Sequence, residues 1–135
     1  MTDVHSTVVH HWFEEVWNNS QEAAIDKLMA DQAIAHGITD AANDRGPEGF
    51  RRFYQKFRDD FSNIHIKTDK VMRDEDLEVA HCDVTATHTQ SGKPVSFSGI
   101  SMARISAGKI IEAWNYFDFL GLYQQLGMEL VPKSN

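Results

Sequence analysis

The period of the hydrophobic residues changes once along this chain, at Asn63, and that change decides what kind of fold is open to it. Before Asn63 apolar residues recur at helical spacing. Phe50, Phe53, Tyr54, Phe57 and Phe61 stand at i, i+3, i+4, i+7 and i+11, one face of a helix. After Asn63 they alternate, as in strands with one buried face. Helices first and an antiparallel meander afterwards predict an α+β fold, a curved sheet with helices on one side. At 135 residues and 41% hydrophobic, the chain can bury one core and no second. A single domain over 1–135 is expected, with its core over about 4–128.

Asp3 is placed to cap a first helix carrying Val4, Val8, Val9, Trp12, Phe13, Val16 and Trp17. Asn18-Asn19-Ser20 breaks it, and Ser20 can cap a second, short helix holding Ala23, Ala24, Ile25 and Leu28. A short strand around Ile34 to Ile38 and a polar loop lead to Gly46, where Pro47 falls in the first turn of a third helix. Ile64 and Ile66 open one strand. Others run from about Leu77 to Thr89, Val95 to Ser106 and Lys109 to Phe117, with turns at Ser91-Gly92-Lys93 and Ala107-Gly108. Asp118 reads as the N-cap of a last helix beginning Phe119-Leu120.

Composition excludes several partners. Net charge is −7 and no basic cluster is longer than Arg51-Arg52, so a phosphate backbone finds no concentrated cationic face. No apolar run approaches the roughly 18 residues that span a bilayer. Nucleic acid and membrane are therefore not expected as partners. Met1 to Ser6 shows no basic region followed by an apolar stretch, and Cys82 has no second cysteine to pair with; both fit a cytoplasmic protein. A zinc site needs three or four convergent ligands. No such spacing is visible, and the adjacent His10-His11 point in different directions on a helix. No metal is expected.

Strand faces decide what can line a pocket. Ala80, Cys82, Val84 and Ala86 form an apolar face ending at His88, with His81, Asp83, Thr85 and Thr87 opposite. Val95, Phe97, Gly99, Ser101, Ala103 and Ile105 share a face of the next strand. If Ala107-Gly108 closes as a three-residue loop with Gly108 left-handed, Ser101 pairs with Ala113. Ile111, Ala113, Asn115 and Phe117 then point the same way as Ser101. Inward polar groups reduce to Ser101, Asn115 and His88. The outward face carries Ile100, Met102, Ile110, Trp114 and Tyr116, beside Arg104 and Glu112, diagonal neighbours able to pair. Apolar residues on both faces predict a homodimer packed sheet to sheet. His81 and Asp83, outward at i, i+2, are expected at an interface or in solvent.

The run from Gly108 through Trp114-Asn115-Tyr116 to Asp118, closed by Gln125-Leu126-Gly127, resembles the final segment of the SnoaL-like polyketide cyclases, a branch of the nuclear transport factor 2-like superfamily. The helical start, Asp31 to His36, the Gly46-to-Phe61 helix, Thr87-His88-Thr89, and Arg104-Ile105 before Gly108-Lys109-Ile110 resemble it in the same order. The resemblance implies a cystatin-like α+β barrel, cone-shaped, its mouth plugged by helices over one deep apolar pocket. It also implies a lyase or isomerase activity, an intramolecular aldol cyclisation without metal or cofactor. A base removes a carbon-bound proton and the enolate attacks a carbonyl. In the cyclases a carboxylate and a histidine serve that site; the matching positions here are Asn115 and Ser101.

An amide takes up no proton at ordinary pH, so candidate bases must be sought elsewhere. His88 ends an inward face, and histidine is the side chain whose unperturbed pKa, about 6.5, suits proton transfer near neutrality; a structural role is equally open. His36 ends a strand expected to reach the pocket. Trp12, Phe13, Trp17, Tyr54, Phe57, Phe97, Ser101 and Phe117 are the expected ligand-binding residues, most of them also core positions. Three readings stand. The chain is an enzyme acting on an apolar, carbonyl-bearing small molecule, with His88 or His36 as base and Asn115 as oxyanion donor. Or it binds such a ligand without catalysis, or it is a dimeric interaction module whose cavity is incidental.

Overall fold

Two caps, not one, start the first helix. The Asp3 carboxylate accepts from the His5 N–H at 3.1 Å over a 3-10 turn, Val4–Ser6, and the Thr7 hydroxyl then accepts from the His10 N–H at 3.3 Å. The second cap begins α1 (Val8–His11). The buried Glu78 carboxylate accepts from the Val9 N–H at 3.0 Å, serving another donor that a helix start leaves free. The helix then widens into a π-helical stretch, Trp12–Asn18, in which the Asn19 N–H reaches the Glu14 carbonyl at 2.8 Å. Trp12, Phe13, Val16 and Trp17 all fall on its buried side. Asn18 fixes this stretch to the sheet: it donates to the Ile66 carbonyl at 2.8 Å and accepts from the Ile66 N–H at 2.7 Å.

The computed structural model describes residues 3–40 and 43–134. Positions 1, 2, 41, 42 and 135, which include parts of the expected N-terminus and of the polar loop before Gly46, lie outside the described residues. Ser20 takes a left-handed φ of 54° and does not cap the second helix, α2 (Ala24–Leu28), whose N-cap is Ala23. β1 (Met29–His36) follows α2 directly, so it begins well before the expected Ile34. α3 (Gly46–Asp60) has Pro47 in its first turn. Gly46 has φ +70°, and a Cβ there would stand 2.0 Å from the Asp31 carbonyl oxygen, so the position needs glycine. α3 runs straight into β2 (Phe61–Asp74), and Phe61, expected as the last helical residue, is the first of the strand.

β3 (Leu77–His88), β4 (Pro94–Ser106) and β5 (Lys109–Phe117) complete one sheet in the order β1-β5-β4-β3-β2. β1 pairs parallel with β5 and the other neighbours are antiparallel, which makes the sheet mixed. The hydrophobic core lies on one face, under α1, its π-helical extension, α2 and α3. The last helix, α4 (Phe119–Gln125), is capped by Asp118, which accepts from the Gly121 N–H at 2.8 Å. Gln125 closes it onto β4, donating to the Ser96 carbonyl at 2.7 Å and accepting from the Ser96 N–H at 3.0 Å. Among the described residues no helix is long and apolar enough to cross a membrane.

The β4–β5 hairpin corrects the expected register. Ala107 and Gly108 both have left-handed φ, 51° and 76°, and form a two-residue turn between the paired Ser106 and Lys109. A bulge at Ile111, opposite the step from Arg104 to Ile105, then sets Ser101 opposite Asn115, not Ala113. It also turns Ile110 inward, where it is buried, and leaves Ile111 exposed, the reverse of the expectation for those two residues. Ala113 and Asn115 stay inward, and Trp114 and Tyr116 outward. Arg104 and Glu112 are direct neighbours but each pairs elsewhere. Arg104 bonds Asp76 at 2.9 Å, and Glu112 lies 2.7 Å from His36 Nε2.

Candidate functional site

An apolar cleft opens between the helices and the sheet. The π-helical stretch gives it Trp12, Phe13 and Trp17, and α3 gives Phe50, Phe53 and Phe57. The sheet supplies Ile66, Val84, Phe97, Asn115 and Phe117, while Ile38 and Phe119 close the ends. The aromatic rings interlock at centroid distances of 4.8 Å for Trp12–Phe50 and 5.7 Å for Trp17–Phe57. The cavity volume of the cleft is about 50 Å³. Small-molecule sites usually offer upwards of about 300 Å³. This one is nearly filled by its own rings.

A second chamber, with about 20 Å³ free, adjoins the first and shares Trp12, Phe13, Ile38, Phe50 and Asn115 with it. Its own walls are Val9, Met29, Ala35, Ala103, Ile110 and Ala113, with Ser101 beside them. Asn115 thus stands where the two chambers meet. Its amide is held at both ends: the Ser101 hydroxyl donates to Oδ1 at 3.0 Å, and Nδ2 donates to the His36 carbonyl at 3.1 Å. One Nδ2 hydrogen and one Oδ1 lone pair remain for another partner. Gly37 brings the chain close enough for the His36 contact. Its φ is +90°, and a Cβ there would lie 2.1 Å from the Asn115 backbone oxygen.

The histidines expected to act as bases stand elsewhere. β1 points Ala33 and Ala35 inward, so the His36 ring falls on the outer face, stacked on Trp114 at 5.6 Å and bonded to Glu112. Only its carbonyl reaches the site. His88 ends β3 as expected but serves the β3–β4 turn. Its Nδ1 is 2.8 Å from Ser91 Oγ, its N–H donates to the Lys93 carbonyl, and it lines neither chamber. Tyr54 also misses the cleft: its hydroxyl donates to the Val16 carbonyl at 2.8 Å in the packed core, and burial raises its pKa.

Trp12, Phe13, Trp17, Phe57, Phe97 and Phe117 do line the cleft, and Ser101 lines the second chamber with Asn115. Sequence reasoning missed Ile38, Phe50, Phe53, Ile66, Val84 and Phe119 as lining residues of the cleft. The α3 period had marked Phe50 and Phe53 as apolar but could not say which of them meets a void. Among the described residues, no lining side chain is a carboxylate, histidine, cysteine, lysine or tyrosine. Cys82 lies in the same core, where burial pushes its thiol up to about 12. The site can hold an apolar body and direct one polar atom; it carries no side chain that exchanges a proton near neutral pH.

A family model of SnoaL-like polyketide cyclases matches residues 7–126. No curated protein matches the chain. Similar solved structures include a protein of Acidithiobacillus ferrooxidans provisionally described as a polyketide cyclase, 23% identical, covering 94% of this chain and 96% of its own, with a TM-score of 0.81. A protein of Bacillus cereus with the same provisional description is 27% identical over 91% of this chain and 80% of its own, with a TM-score of 0.79. TsrD from Streptomyces laurentii is 20% identical over 94% of this chain and 98% of its own, with a TM-score of 0.78. The α+β fold with its mixed five-stranded sheet is thus that of the nuclear transport factor 2-like cyclases.

Proposed function

The chain belongs to the SnoaL-like polyketide cyclase family, and from that premise we propose that it binds an apolar, carbonyl-bearing small molecule without base catalysis. The carbonyl oxygen rests on the free amide hydrogen of Asn115. One observation carries the reading: two apolar chambers meet at a single buried amide whose donor is half used, and no lining side chain can take a proton. The ligand makes its own room. Phe50 and Phe13 border both chambers, so a ligand that spans the two has to displace one of these rings. A flat aromatic ligand replaces the ring–ring contacts that such a displacement breaks. Phe53, Phe97 and Phe119, only partly buried, mark the side from which it enters.

Family membership favours a second reading, a cofactor-independent lyase or isomerase acting on a polyketide-like substrate. Asn115 would then stabilise a developing enolate oxygen, and the proton would leave to water or to a group of the substrate itself. The test is a titration with aromatic ketones and hydroxyquinones followed by Trp12 and Trp17 fluorescence. The wild type should be quenched to saturation. Asn115→Ala should bind roughly 3- to 10-fold more weakly, as befits one neutral hydrogen bond. Equal affinity of the two proteins, or no binding by either, would overturn the assignment. Turnover of a bound ketone, absent in Asn115→Ala, would favour the enzyme.

A further inference from the structure

We propose that Asp69, His81 and Asp83 form a binding site for a divalent transition-metal ion on the outer face of the β2–β3 ribbon. His81 and Asp83 stand at i, i+2 on β3 and so share that face. The third ligand comes from a defect in the neighbouring strand. Lys67 lies opposite Asp83 and Lys70 opposite His81, so Thr68 and Asp69 together face the single residue Cys82. Such a bulge re-aims side chains. Thr68 is buried toward α1, its hydroxyl 3.1 Å from His10 Nδ1, and Asp69 is turned out beside the pair on β3. One ligand atom from each of the three residues lies within 4.8 Å of the other two. The sequence concealed the set because its members come from two strands and meet only through the bulge.

A second feature points to a ligand. His81 Nδ1 is closed off from solvent and has no hydrogen-bond partner. The nearest carboxylate oxygen, Asp83 Oδ2, is 3.8 Å away, too far to serve. A buried imidazole nitrogen without a partner is costly, and a metal ion accepts its lone pair. One imidazole nitrogen with two carboxylates suits Zn²⁺, Co²⁺, Ni²⁺ or Cu²⁺ better than the all-oxygen preference of Mg²⁺ or Ca²⁺. Bonds of about 2.0–2.2 Å need the ligand atoms somewhat closer together. Asp69 and Asp83 are exposed and free to close by side-chain rotation, leaving further coordination positions to water. Lys67 Nζ, 3.6 Å from Asp69 Oδ2, now neutralises that carboxylate and would be displaced by the ion.

The test uses the full chain without a histidine tag, titrated with Zn²⁺ by calorimetry and with Co²⁺ by visible absorption. One ion per chain is expected. His81→Ala and Asp83→Asn should each weaken binding by at least about tenfold, with Asp69→Asn as a further variant should either fail to fold in chelator. His11→Ala, which removes an exposed histidine of α1 paired with Glu15, should leave binding unchanged. Undiminished binding in His81→Ala, loss of binding in His11→Ala, or failure of the wild type to bind either ion would overturn the proposal.

Discussion

Replacing Asn115 with aspartate keeps the shape of the side chain and alters only what it can donate. The Ser101 hydroxyl still has an oxygen to bond at 3.0 Å, but the atom that donated to the His36 carbonyl at 3.1 Å becomes a second oxygen. Ionised, that oxygen opposes the carbonyl, acceptor against acceptor. Protonated, it restores the hydrogen bond. The apolar walls act in the same direction, and buried carboxyls are raised by up to about 3–5 units. A rise of about 3 units above the ordinary ~3.9 corresponds to roughly 4 kcal/mol. Between the unfolded and the folded pKa the folded state holds more protons, so stability falls as pH rises. The variant should match the wild type below about pH 4, lose about 1.4 kcal/mol per pH unit above that, and level off near pH 7. Urea unfolding followed by fluorescence of the buried Trp12 and Trp17, run for both proteins from pH 4 to 8, reads this difference. A difference that does not change with pH would refute the buried, carbonyl-facing placement of Asn115.

Three further outcomes follow from the same geometry. A homodimer is proposed to pack through Ile100, Met102, Trp114 and Tyr116, which share the outer sheet face. The wild type should therefore sediment as a dimer and Trp114→Glu as a monomer; an unchanged dimer in the variant would sink the proposal. Cys82, with its thiol pushed up to about 12 by burial, should resist a disulfide reagent at pH 8 in the folded protein and react at once in urea; prompt labelling of the folded protein would contradict this. Gly37→Ala must place a Cβ 2.1 Å from the Asn115 carbonyl oxygen at φ +90°. It should cost at least about 2 kcal/mol, seen as a lowered Tm, and an unchanged Tm would show that the backbone is free to relax.

The fold was legible because its signals are local. The apolar period of α3, the alternation after Asn63, and the caps at Asp3 and Asp118 each depend on a few consecutive residues. The inward placement of Asn115 was legible too, since alternation survives an error in the turn; the three-residue loop and the observed turn plus bulge leave Ser101 and Asn115 on one face. Ile110 and Ile111 were exchanged because a bulge shifts the alternation on one side of itself, and nothing in Ile110-Ile111-Glu112 announces that Ile111 is the extra residue. His36 was misplaced for a related reason. β1 begins at Met29 and joins β5 in parallel, and that long-range pairing, not the strand's own residues, decides which of Ala35 and His36 faces inward. The small free volume was out of reach altogether, because it depends on how rings from α3 and the π-helical stretch interlock across the core.

The most direct measurement labels the Asn115 side-chain amide with ¹⁵N and follows both of its protons while an aromatic ketone is added to saturation. One of them, bonded to the His36 carbonyl, should hold its position. The other should move downfield with the same midpoint as the quenching of Trp12 and Trp17. A saturated complex in which both amide protons stay where they were would contradict the claim that Asn115 receives the ligand's carbonyl.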